Sequence, residues 1–175
     1  MDTIRNARPT DAAAIAAIYN QGIADRGATF ETVPRTEADL AERLSDVDRY
    51  PVLVAADATG RVLGWASLSS YRPRDCYAGI AEFSIYLDRD ARGRGVGRRL
   101  LNALIDTAAE RGFWKLVSRI FPFNAASRAL CRACGFREVG TYEKHAQLDG
   151  RWLDVVIVER SLTAVSTTGP SGRSS

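Results

Sequence analysis

The chain has 175 residues, 46% of them hydrophobic and 26% charged, with a net charge of +3. That length fits one domain with a full core, and so mild a charge excludes a dedicated nucleic-acid binder, which would show a broader basic excess. The start carries no apolar h-region and no run is long enough to span a bilayer, so the expected address is the cytoplasm with no membrane partner.

Residues 3–9 alternate and read as a first strand. Thr10 and Asp11 then cap a helix carrying Ile15, Ile18 and Tyr19 at helical spacing. Residues 25–36 form a loop with two exposed-looking hydrophobes, and Thr36 to Asp39 give a capping-box start to a second helix with Leu40 and Leu44. Two strands follow, 50–57 and 61–71, joined by a turn at 57–60. After a polar loop, residues 81–87 ("AEFSIYL") make the next strand. Val96, Leu100, Leu101, Leu104, Ile105 and Ala108 then give a helix that stops at Gly112. Residues 114–121 read as a strand and 124–134 as a helix ended by Gly135, and a hairpin turns at Asp149-Gly150. The Ser/Thr/Gly-rich residues 163–175 have little to bury and are expected to form a flexible tail to a single domain at 1–162. This order predicts a mixed α+β sheet flanked by helices.

Between the strand at 81–87 and the helix that follows lies "DARGRGVGRR", residues 90–99, with three glycines and four arginines. Unpaired N–H groups and the helix dipole favour an anion at such a place. Gly93, Gly95 and Gly97 would let the backbone approach it closely, and Arg92, Arg94 and Arg98 would add charge. A Walker A loop would need Gly-Lys-Ser/Thr, which is absent. A dinucleotide fingerprint from Gly93 would need glycine where Arg98 stands. A solvated glycine turn is the plain alternative.

The spacing Arg92-x-x-Gly95-x-Gly97, after a strand and before a helix, resembles the acetyl-coenzyme A loop of the GNAT superfamily of N-acetyltransferases. The resemblance continues through Asn124 and "ALCRACGF" at 129–136. "AEFSIYL", the basic loop "YRPRDCY" and "GRWLDV" are similar to segments of its phosphinothricin and arsinothricin N-acetyltransferase family. The resemblance implies a GNAT fold, with a mixed central sheet of about seven strands flanked by helices. It further implies acetyl-coenzyme A as co-substrate, with its diphosphate on residues 92–98, Val96 included, and its pantetheine arm along the backbone of Ile85, Tyr86 and Leu87. A homodimer with sites near the interface is also implied. The function that follows is acetylation of the α-amino group of a glutamate-like antimetabolite, arsinothricin or phosphinothricin, conferring resistance. Alternatives are methionine sulfoximine, methionine sulfone or another small amine, or a coenzyme-binding sensor without catalysis.

Glu82 opens an otherwise apolar strand, so it is paired, edge-exposed or functional. A carboxylate there could take the proton an ammonium substrate must lose, directly or through water, and the resemblance assigns it as general base. A structural ion pair with a nearby arginine is the other reading. Arg72 and Arg74 would face one side if their segment is extended, where two guanidiniums suit an anionic head; a solvated charged loop is the alternative. The resemblance adds Phe30 as a substrate cover, or else a plug under its loop, and Tyr77 in the same pocket. Cys131 stands where many superfamily members carry a tyrosine proposed to protonate the departing thiolate; a buried thiol is the other reading. Cys131 and Cys134 sit at a helix C-terminus, where the dipole opposes a thiolate. With Cys76 and His145 they match no usual zinc spacing, so no metal is expected. Trp152 and Asp154 share one face of the last strand, toward a pocket, a subunit contact or the core.

Overall fold

The computed structural model describes residues 2–45 and 47–162, so the tail at 163–175 lies outside the described residues. The strand at Thr3–Asn6 (β1) pairs antiparallel with Val52–Ala56 (β2), and β2 with Val62–Ser70 (β3). Ile80–Leu87 (β4) continues the meander against β3. Lys115–Ile120 (β5) runs parallel to β4, and the hairpin of Arg137–Leu148 (β6) and Arg151–Ser161 (β7) closes the sheet in the order β1-β2-β3-β4-β5-β7-β6. The β7 strand, not β6, lies against β5, and β6 is left as a solvent-exposed edge. The hairpin turn is as expected: Asp149 and Gly150 have φ of 49° and 75°, the left-handed pair a two-residue turn demands.

The helices Ala12–Asp25 (α1) and Glu37–Arg43 (α2) cover one face, packing Ile15, Ile18 and Leu40 on Val54 and Trp65. The helices Val96–Glu110 (α3) and Ala125–Ala133 (α4) cover the other, where Leu100, Leu104 and Cys131 meet Phe83, Leu116 and Val156. The Thr36 capping box forms as expected: Oγ1 accepts from the Asp39 N–H at 3.2 Å, and Asp39 Oδ2 from the Thr36 N–H at 2.8 Å. Asp11 acts differently from the expected cap. Its buried carboxylate turns back to the Arg8 N–H at 2.7 Å and the Arg5 guanidinium at 2.7 and 3.0 Å, tying β1 to the start of α1. The Arg5 hydrogen bonds hold its carboxyl below the usual carboxylate range.

Candidate active site

The strands β4 and β5 pair only over Ile80–Glu82 and Lys115–Val117. Beyond Glu82 each keeps its outer partner, β4 following β3 to Leu87 and β5 following β7 to Ile120, so a gap opens inside the sheet. At the fork Ser118 Oγ donates to the Phe83 carbonyl at 3.0 Å, in place of the next ladder bond. That carbonyl therefore points into the gap. By strand alternation the polar backbone of Ile85 and Leu87 points there too, while that of Tyr86 is turned to β3. The expectation for the Tyr86 backbone is corrected accordingly. Its ring stacks on Trp65 at 5.1 Å and meets Tyr19 edge-on at 4.9 Å, and burial pushes its phenol well above the usual range.

The gap opens into a cleft of about 690 Å³, lined by Ile85, Tyr86 and Leu87 on one side and Asn124 on another. Arg92, Gly93, Gly95, Gly97 and Arg98 form its mouth. Gly93 and Gly95 adopt φ of 73° and 75°, where side chains are strained, and nothing stands within 4 Å of where a Cβ would project. Gly97 serves close packing instead: a Cβ there would come within 3.1 Å of Leu87. Gly95 is the N-cap of α3 with no side-chain cap, which leaves the N–H groups of Val96, Gly97 and Arg98 without a partner among the described residues. These open amides at a helix N-terminus fit an extended diphosphate.

The arginines divide. Asp25, at the end of α1, takes Arg89 at 2.6 Å and Arg92 at 3.1 Å, and Asp2 takes Arg99 at 2.6 Å. Arg94 and Arg98 meet no carboxylate among the described residues, and of these two only Arg98 lines the cleft. Val96 is buried in the core, so any role it has toward an anion rests on its N–H. Asn124 is committed twice to the protein itself: Oδ1 accepts from the Ser127 N–H and Nδ2 donates to the Gly27 carbonyl, both at 3.1 Å.

A second cavity of about 80 Å³ continues the cleft through the fork, between Ser84 and Ile85 on β4 and Ser118 and Arg119 on β5. Glu82 stands at the fork with its side chain on the α1/α2 face, opposite Ser69 and two residues before Ser84, itself opposite the buried Ser67. It is ion-paired: Arg119 Nη2 donates to both of its carboxylate oxygens at 2.7 Å. Arg43 reaches the same polar row, its Nη2 donating to Ser67 Oγ at 2.8 Å. The sequence reading allowed Glu82 an arginine partner without identifying Arg119, and it missed Arg43. Alternation along β5 carried a signal for Arg119, two residues past Val117 on the Glu82 face.

Phe30 is half-buried, edge-on to Phe121 at 4.8 Å, over Leu148 and Val155, while Val33 in the same loop is exposed. Arg72 and Arg74 are not brought into either cavity. The Arg74 N–H bonds the Arg72 carbonyl at 2.9 Å, so residue 73 turns and the extended segment on which their shared direction rested is absent. Tyr77 packs on Tyr71 at 5.6 Å in that loop. Cys131 and Cys134 are buried, and burial pushes the Cys131 thiol up to about 12, so it stays protonated. His145 is exposed beside Tyr142 on β6. Trp152 is 56% exposed, which removes its core-packing alternative. No described helix is long and apolar enough to cross a membrane.

Comparison with known proteins agrees with this geometry. The model of the Acetyltransferase (GNAT) family matches residues 15–136. The L-methionine sulfoximine/L-methionine sulfone acetyltransferase of Pseudomonas aeruginosa is 39% identical over 165 residues, 91% of this chain and 94% of that protein. The phosphinothricin N-acetyltransferase of Alcaligenes faecalis is 38% identical over 171 residues, 96% of this chain and 86% of that one. A solved phosphinothricin acetyltransferase from Sinorhizobium meliloti, in complex with AcCoA, superposes with a TM-score of 0.88 at 36% identity, over 97% of this chain and 93% of its own. A sheet split beside a glycine-rich helix start, a family match across that region and these relatives lead to one conclusion: the chain belongs to the GNAT family of acetyltransferases.

Proposed function

We propose that this enzyme transfers the acetyl group of acetyl-coenzyme A to the α-amino group of a glutamate-like antimetabolite and so confers resistance to it. Arsinothricin is the first choice, phosphinothricin the second, and methionine sulfoximine or sulfone the third. The observation that carries the reading is the fork between β4 and β5. It sets a carboxylate, Glu82, beside a passage whose far mouth is the glycine-arginine loop.

In this reading the open amides of residues 96–98, with Arg98, hold the diphosphate, and the backbone of Ile85 and Leu87 pairs with the pantetheine arm as one strand pairs with an added strand. The Ile85 N–H is the donor to the thioester carbonyl oxygen, where negative charge develops. Glu82 takes the ammonium proton through water. The amine nitrogen then bonds the acetyl carbon, the carbon–sulfur bond breaks, and the coenzyme leaves as thiolate. Phe30 shields the acceptor. Arg72 and Arg74, with Tyr77 in their loop, are left for the tetrahedral anionic head, since neither guanidinium meets a carboxylate among the described residues. The same reading takes the enzyme as a cytoplasmic homodimer, with exposed Val139 and Tyr142 on β6 and Trp152 on β7 as apolar groups available to the contact.

Thiol release from acetyl-coenzyme A tests this against arsinothricin, phosphinothricin, methionine sulfoximine, glutamate and spermidine. A strong preference for the first two over glutamate is expected. Turnover of spermidine alone, or of none while coenzyme still binds, would overturn it.

A further inference from the structure

We propose that Arg119 is the receptor for the α-carboxylate of the amino-acid substrate, and that binding this carboxylate draws Arg119 off Glu82 and leaves Glu82 able to accept the amine's proton. The inference rests on the reading of Glu82 as the base.

The pair has the form of a contact made to be exchanged. One nitrogen of Arg119, Nη2, serves both oxygens of Glu82 at 2.7 Å. The guanidinium's Nε and Nη1 make no hydrogen bond among the described residues, so each of its two paired-donor edges, Nε/Nη2 and Nη1/Nη2, keeps one free donor and becomes complete for a carboxylate once Nη2 leaves Glu82. The two side chains are 48% and 26% exposed, so the pair is water-screened and a competing carboxylate replaces it at little cost. Arg119 also lines the cavity through the fork, beside Ser84 and Ser118. The other cations near the site are engaged or elsewhere: Arg43 is on Ser67, Arg98 is at the glycine loop, and Arg72 and Arg74 line neither cavity.

The chemistry then couples two events. An α-amino acid carries its carboxylate on the same carbon as its amine. Seating the carboxylate on Arg119 therefore places the nucleophile next to the fork and removes the guanidinium that occupies both oxygens of Glu82. An amine without a carboxylate leaves Arg119 on Glu82, so the base stays occupied. Substrate selection and base activation become one step.

The test uses the full-length enzyme with saturating acetyl-coenzyme A and two acceptors: methionine sulfone and the amine left when its carboxylate is removed. Arg119→Gln is expected to lower kcat/KM for the amino acid about a hundredfold and to raise that for the plain amine, since Glu82 is then no longer occupied; Arg119→Lys should recover part of the loss on the amino acid. Equal losses on both acceptors, or no loss on the amino acid, would overturn the proposal. Calorimetric binding of methionine sulfone to the enzyme–coenzyme A complex separates this from failure of the base assignment. Binding retained in Glu82→Gln but lost in Arg119→Gln supports the receptor role even where Glu82→Gln is still active. Such activity would sink the base reading and, with it, the release of Glu82. Unaltered coenzyme affinity in each variant serves as the check on folding.

Discussion

Asn124 lines the cleft, yet both of its polar atoms are spent on the protein. Replacing it with alanine removes the N-cap of α4, worth about 1 kcal/mol, and the tether from Nδ2 to the Gly27 carbonyl, worth about 1 kcal/mol net. The sum, about 2 kcal/mol, lowers the melting temperature of a chain this size by roughly 4–8 °C. Asn124→Ser splits the two effects: serine caps as well as asparagine but is too short to reach Gly27, so about half the loss is expected. Thermal unfolding by circular dichroism, with coenzyme affinity measured alongside, reads both. An unchanged melting temperature with coenzyme affinity cut about tenfold would refute the reasoning, since the side chain would then serve the ligand and not the loop.

Glu82→Gln is expected to cut kcat by about 10²–10⁴-fold with little change in melting temperature, because its pair with Arg119 is exposed; stopped-time assays at neutral pH check it. Asp11 has a folded-state pKa depressed by Arg5. Its stabilisation is thus fully present above the unfolded value of about 3.9 and is lost as pH falls through the lower folded value. Denaturant titrations should show Asp11→Asn less stable at neutral pH, with the gap to the parent closing in that acid window. Cys131→Ala should change kcat by less than about threefold: burial pushes this thiol up to about 12, far above an ordinary cysteine's value of about 8.5, which makes it a poor acid toward a departing thiolate. A loss in kcat of about a hundredfold or more would restore its role as acid.

Much of the fold was legible because local signals agreed with the global arrangement. The capping box at Thr36, the stop at Gly112 and the turn at Asp149-Gly150 are each set by a few neighbouring residues, and each forms. The glycine-arginine loop was legible for the same reason, since positive φ and an uncapped helix start are local properties. The fork was not. Nothing within residues 80–87 says where β5 will leave, because that depends on β5 following β7, whose paired residues lie 36 to 46 positions beyond those of β5. The partner of Glu82 was hidden likewise, 37 residues away on the next strand. The shared direction expected of Arg72 and Arg74 assumed an extended segment, which a single backbone bond bends.

The fork explains why one strand can carry most of the chemistry. Along β4, alternation sends the Glu82 side chain to the α1/α2 face and the Ile85 N–H sideways into the gap. The proposed base and the proposed oxyanion donor therefore sit three residues apart on one rigid element, yet address different directions. An amine can approach from the face while a thioester lies in the gap, and the two meet without either displacing the other. A covalent relay would need a nucleophile at the same place. The thiol that lines the cavity, Cys131, is buried on the α3/α4 side and held protonated, so it offers no thiolate to acylate. Direct transfer within a ternary complex is what this arrangement of backbone and carboxylate can do, and the split in the sheet is what makes room for it.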